Sequence, residues 1–219
     1  HLDSVTNMSY MFAGCGYSKM TGFKLDDSVD TTNVTNMEGM FSNLGYTNMT
    51  TMALGTKFNT TNVTNMNKMF ENCGYSKLQR LELNINTKNV QKMASMFEGT
   101  GHEVMTTLNL GSNFITSNVT TMNAMFKNTG YKAITSLDLG DNFSVNKVND
   151  MASMFNGCGY TSMTSLDLGQ KFTQIPNAST NFATDCGKSG AVIQAPEAIY
   201  SNRTTFKKGP TSTATLAYN

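Results

Sequence analysis

Six residues recur in one register along the chain: Tyr17, Tyr46, Tyr75, His102, Tyr131 and Tyr160, at steps of 29, 29, 27, 29 and 29 residues. Stacked at the roughly 4.8 Å spacing of adjacent strands, they form an aromatic ladder. A ring that carries a hydroxyl is a common anchor for a protein or glycan. The same ring also suits a cover over a turn, packed against its neighbours with its hydroxyl in water. A second row flanks the apolar centre of each repeat: Gly22 and Lys24, Thr51 and Ala53, Arg80 and Glu82, Thr107 and Asn109, Ser136 and Asp138, Ser165 and Asp167. These residues vary while the apolar ones do not. That pattern suits a ligand on the strand face, and it suits drift on a face that binds nothing. The candidate ligand-binding residues are therefore Tyr17, Tyr46, Tyr75, His102, Tyr131, Tyr160, Arg80, Glu82, Asn109, Asp138 and Asp167.

Catalysis has little support. Of the two histidines, His1 and His102, the second stands in a tyrosine slot and reads as a surface variant. No G-x-S-x-G, phosphate-binding loop, H-E-x-x-H or acidic cation loop occurs. Asp26, Asp27 and Asp141 read as solvated turn residues. No catalytic residue, metal ligand or cofactor is assigned, and the chain is expected not to be an enzyme.

Both rows need a scaffold that repeats. The signature V-x-x-M-x-x-M-F begins at Val5, Val34, Val63, Val90, Val119 and Val148, and a fixed period in this range marks a solenoid. Val34, Met37, Met40 and Phe41 share one face of a short helix, with Thr or Asn as its N-cap. Gly14, Asn43, Asn72, Gly99, Asn128 and Gly157 follow two residues after each Phe and suit the αL end of that helix. The second half of each unit alternates, as in Leu108-x-Leu110 and Leu166-x-Leu168, which is a strand. The reading is an α/β solenoid: a leucine-rich repeat with one parallel strand and one short helix per unit of about 29 residues. All 17 methionines fall in slots read as core.

The array covers 1–187, about six full units plus a decayed seventh around Ile175, Ser179 and Phe182. A cap is expected at 188–208 and a linker-like tail at 209–219. The chain starts mid-unit at His1, so more of the array or a cap is expected upstream. Cys15, Cys73 and Cys158 occupy one slot, two or more units apart, too far to bridge. Only Cys158 and Cys186 fall in adjacent units. The net charge of +1 disfavours nucleic acid. Charged residues make up 14%, against roughly 25% in an average domain. No apolar run is long enough for a transmembrane helix.

The runs Asn33 to Phe41, Asn62 to Phe70 and Asn118 to Phe126, with Ser136-Leu137-Asp138-Leu139 and Ser165-Leu166-Asp167-Leu168, resemble the BspA-like leucine-rich repeat surface proteins of bacteria. The Gly-Tyr insertion after each M-F lengthens the unit beyond that family's commoner repeat. The resemblance implies an extracellular protein at the bacterial surface or cell wall. It implies adhesion to host cells, matrix, mucin or other bacteria, with a host or matrix protein or glycan as partner. The chain itself is expected to be a monomer that does not insert into membranes. Two other readings stand beside adhesion. One is a spacer that projects another domain. The other is an ice- or lattice-binding face built on Thr32, Thr61, Thr35, Thr64 and Thr120, which Lys88, Gln91, Asn146 and Asn149 interrupt.

Overall fold

The computed structural model describes residues 4–199 and 215–218. The chain is a parallel β-solenoid of about six turns, and the helix expected in each unit is absent. The leucine-rich-repeat assignment is therefore corrected. Among the described residues the only helical element is a 3₁₀ turn at 197–199.

The backbone hydrogen bonds show why. In an α-helix the Phe41 N–H would donate to the Met37 carbonyl. Here it donates to Met69 of the next coil (2.9 Å), and the N–H groups of Met37, Gly39 and Asn43 donate to Asn65, Asn67 and Glu71. The intervening N–H groups close tight turns instead: Met40 to Met37, Ser42 to Gly39 and Leu44 to Phe41. Alternate peptides thus stack and turn. The turns require positive φ at Gly39, Asn43 and Gly45 (59°, 55° and 53°), which no α-helix contains. The Gly and Asn residues read as helix ends do adopt αL, in the middle of this run of turns rather than at a terminus. Consecutive tight turns return a side chain to the same side every three to four residues. The apolar spacing therefore imitates a helix.

Among the described residues, eight short strands form one side: β1 (Gly22–Lys24), β2 (Thr51–Ala53), β3 (Arg80–Glu82), β4 (Thr107–Asn109), β5 (Ser136–Asp138), β6 (Ser165–Asp167), β7 (Val192–Ala195) and β8 (Thr215–Tyr218). All pairings are parallel, in the order β1-β2, β3-β4 and β5-β6-β7-β8. Single bridges continue the stacking on a second side, from Asn7 through Asn36, Asn65, Lys92, Thr121 and Asp150 to Ala178. Stacking continues past the sixth repeat: Phe182 is buried, and its carbonyl accepts from the Phe155 N–H. Of the expected cap, residues 200–208 lie outside the described residues. Within 209–219, residues 215–218 form β8.

The interior is a set of columns. Phe41, Phe70, Phe97, Phe126 and Phe155 stack with centroids 5.4–5.6 Å apart. Phe114, Phe143 and Phe172 form a second column. Val, Met and Leu fill the space between, and each such buried side chain contributes about 1.5–3 kcal/mol. Of the methionines, Met11 is exposed and Met20 and Met52 are only partly buried; the rest are buried. Polar groups inside the wall are satisfied by the next coil. The hydroxyls of buried Thr31, Thr60, Thr87 and Thr116 donate to the carbonyls of Asn59, Asn86, Ile115 and Ser144.

Candidate functional site

The structure brings the six candidate rings into one continuous stack. Successive centroids from Tyr17 to Tyr160 lie 4.7, 4.6, 4.4, 4.7 and 5.0 Å apart. The turn that carries each ring is held at Gly16, Gly45, Gly74, Gly101, Gly130 and Gly159, all at positive φ. A Cβ at Gly45 would stand 2.4 Å from the Cβ of Met49, so this row needs glycine for space as well as for φ. The N–H groups of Thr47 and Ser76 donate to the carbonyls of Tyr17 and Tyr46, which locks the coils in register.

Tyr17 is half exposed and the other five rings are partly buried. Each internal ring lies against a ring on either side, so both faces are covered. The row therefore shows solvent its ring edges, and a sugar cannot lie flat on its middle; the Tyr75 hydroxyl donates to that of Tyr46. Burial in the stack pushes the Tyr46, Tyr75 and Tyr131 hydroxyls above their ordinary pKa. His102 fills its place in the stack as a tyrosine would. Its Nδ1 lies 2.8 Å from Glu103 Oε1, and Lys132 pairs with the other oxygen of Glu103. Burial pulls the imidazole pKa down, with the Glu103 carboxylate opposing, and the Lys132 hydrogen bond holds Glu103 low.

The strand-face candidates form a looser set. Arg80 and Glu82 pair with each other at 3.1 Å, both largely exposed. Glu82 stands beside Asn109, and Asp138 beside Asp167. A shallow depression of about 560 Å³ over β4 and β5 is lined in part by Asn109, Ser136 and Asp138. Asn109, Asp138 and Asp167 have a local task that the sequence reading missed. Their Oδ1 atoms accept the N–H groups of Gly111, Gly140 and Gly169 at 2.8–3.0 Å, pinning turns in which those glycines have φ of 72–78°. The recurring Asn/Asp-Leu-Gly is the signal that marks it.

Asp26 and Asp27 are turn residues too. Ser28 donates to Asp26 through hydroxyl and N–H, and the Thr56 N–H donates to Asp27. These bonds hold both carboxyls below their ordinary pKa. Cys158 and Cys186 stand in the same slot of adjacent coils as free, buried thiols. Cys73 is also free and buried, and Cys15 is free and exposed. Burial pushes the Cys158 thiol up to about 12. Among the described residues no group of three His, Cys, Asp or Glu side chains is placed to hold a metal, and no helix is long and apolar enough to cross a membrane.

On the bridged side, the repeated Asn-Val-Thr turns Val inward and the residues beside it outward. In the sequence its threonines read only as a lattice face. The structure lines a groove with Thr64, Gln91 and Thr120 together with Asn62, Asn89 and Asn118.

The family described as "Mycoplasma protein of unknown function, DUF285" matches this chain over residues 1–103 and 46–167. No curated protein and no solved structure matches it.

Proposed function

The chain belongs to the DUF285 family, and from that premise we propose that it is a non-catalytic binding module of a repeat-containing surface protein. Its task is adhesion, as in the BspA-like surface proteins that its repeats resemble, and it works outside the cell. The partner is a host or matrix protein or glycan, held along the solvent edge of the row from Tyr17 to Tyr160.

The observation that carries this reading is the unbroken stack of six rings on six coils with one edge in water. Rings clamped between neighbours lose little freedom when a partner arrives, which lowers the entropic cost of contact. Tyrosine supplies a large amphipathic edge on few rotatable bonds. The covered faces favour a partner that meets ring edges and hydrogen-bonds to hydroxyls along the solenoid axis.

The test is saturable binding of the purified chain to immobilised mucin, matrix proteins and polysaccharides, beside a Tyr46→Ser/Tyr75→Ser/Tyr131→Ser variant. We expect the variant to lose at least tenfold in affinity, about 1.4 kcal/mol. Full retention of mucin and matrix-protein binding by a folded variant would take the site off the tyrosine row and make the strand face around Arg80, Glu82, Asn109, Asp138 and Asp167 the next candidate. Failure of the folded wild type to bind any of them would sink adhesion and leave the spacer reading.

A further inference from the structure

We infer that the groove on the bridged side is a second binding site, built for a neutral, hydroxyl-rich linear glycan lying along the solenoid axis. The groove has a volume of about 500 Å³ and crosses four successive coils, from Asn62 through Asn89 and Asn118 to Lys147. No ring of the tyrosine row lines it, so it is separate from the site proposed above.

The chemistry follows from where its hydrogen-bond donors already point. Asn62, Asn89 and Asn118 each donate an Nδ2 hydrogen to a carbonyl of the preceding coil, those of Thr32, Thr61 and Lys88, at 2.8–2.9 Å. Thr64 and Thr120 donate their hydroxyls to the carbonyls of Thr35 and Gln91, at 3.2 and 3.1 Å. The fold therefore uses the threonine hydroxyl donors and one hydrogen of each asparagine amide, which leaves each amide its second N–H. Among the described residues, no protein group donates to Oδ1 of Asn62 or Asn89, while the oxygen of Asn118 takes the ammonium of Lys147 at 2.7 Å. Thr64 and Thr120 line the same groove, and a hydroxyl that donates can still accept. Gln91, exposed, adds a side-chain amide.

A wall of neutral amides and hydroxyls, with donors and acceptors together, selects a ligand that both donates and accepts. Phosphate and sulfate groups could take the amide hydrogens but would leave the acceptors unmet, and Lys147 would be their one charged partner. A cationic ligand donates, but the groove has no carboxylate to receive it and Lys147 repels it. Sugar hydroxyls donate and accept without charge. Acceptors recur once per coil, roughly every 4.8 Å, so the matching ligand is an extended chain with hydroxyls along its length. Each anchoring side chain is already tethered to the coil beneath, so little ordering remains to be done on binding.

The test is calorimetric titration of the whole chain with cellohexaose, maltohexaose and a heparin hexasaccharide. Three variants run beside it: Thr64→Lys/Thr120→Lys, Gln91→Lys, and Tyr46→Ser/Tyr75→Ser/Tyr131→Ser. Position 91 already carries a long polar side chain in the threonine row, so lysines there are compatible with the coil, and urea midpoints confirm folding. We expect saturable binding of at least one neutral hexamer, at least tenfold weaker in both lysine variants and unchanged in the tyrosine variant. The proposal is overturned if neither neutral hexamer saturates, if the heparin fragment binds more tightly than both, or if the folded lysine variants bind as the wild type does.

Discussion

Replacing Lys68 and Ser153 together by glycine decides between a run of turns and a helix by the sign of its effect. Both occupy the fifth position after the repeat Val, with φ of 58°; Gly39 holds the same place in its own coil. An L-residue in αL costs about 1–2 kcal/mol. Glycine removes that strain and costs about 0.5–1 kcal/mol in lost backbone entropy. Lys68 also gives up an exposed contact with Glu71 at 3.7 Å, worth a few tenths of a kcal/mol after screening, roughly the low end for surface pairs. The net gain is about 0.5 kcal/mol per site. The two sites lie three coils apart, so the gains add, to about 1 kcal/mol. In a helix each glycine would instead cost roughly 0.7–1 kcal/mol. With a urea slope of about 2 kcal/mol/M, the turn structure predicts a midpoint about 0.5 M higher, and a helix one about 0.8 M lower. Gly39→Ala is the converse control. Its Cβ would fall 2.2 Å from the Tyr10 ring at a φ of 59°, and it should lower the midpoint. A lowered midpoint in the double variant would refute the account of the M-x-x-M-F segment as stacked turns.

Three further outcomes are expected. Phe97→Ala removes a fully buried ring that contacts Phe70, Phe114 and Phe126, and should cost about 3–5 kcal/mol in urea unfolding; a loss below about 1 kcal/mol would remove Phe97 from the core column. Thr116→Val keeps the shape but leaves the Ser144 carbonyl without its 2.7 Å donor, and should cost about 1–3 kcal/mol, although valine itself occupies this row at Val145; an unchanged midpoint would show that carbonyl to be solvated. The tyrosine hydroxyls raised in the fold ionise sooner when unfolded, so their contribution is complete below about pH 10, the ordinary tyrosine value, and is lost as pH rises through the folded pKa. Spectrophotometric titration should show part of the tyrosine absorbance ionising at higher pH than in the unfolded chain, and a single ordinary titration of all eight would contradict the partly buried stack.

What the sequence made legible was whatever repeats as a column. Copies 29 residues apart superpose, so Phe41 over Phe70 and Tyr46 over Tyr75 follow from spacing alone, and the structure stacks both pairs. The two-residue deletion in the third unit is absorbed before Ile85, which still reaches the slot of Phe58 and Phe114. The backbone between the columns was not legible. Periodicity reports which side chains point inward, and stacked turns and a helix give the same answer over eight residues. The conformation that separates them is αL at the fifth position, filled by Tyr10, Lys68, Ser95, Ala124 and Ser153 as readily as by Gly39. Stacking bonds to both neighbouring coils override those local preferences, so residue type carries no mark of them.

The same physics limits how far a polar row can be read as a site. A side chain that recurs in every coil always has a copy of the neighbouring backbone beside it, and its first hydrogen bonds go there. Asn109, Asp138 and Asp167 look like a ligand row until their Oδ1 atoms are found on glycine N–H groups. Asn62 and Asn89 look like plain turn polarity, yet one Nδ2 hydrogen of each is used and the rest of the amide is left over. In a solenoid of this kind, recognition is carried by the atoms that stacking does not consume. For the tyrosine row those are ring edges, and for the Asn/Thr groove they are the remaining amide and hydroxyl groups. A partner for the first must offer groups that meet an aromatic edge, a partner for the second must both donate and accept along a line, and one ligand that bound equally to both would contradict that division.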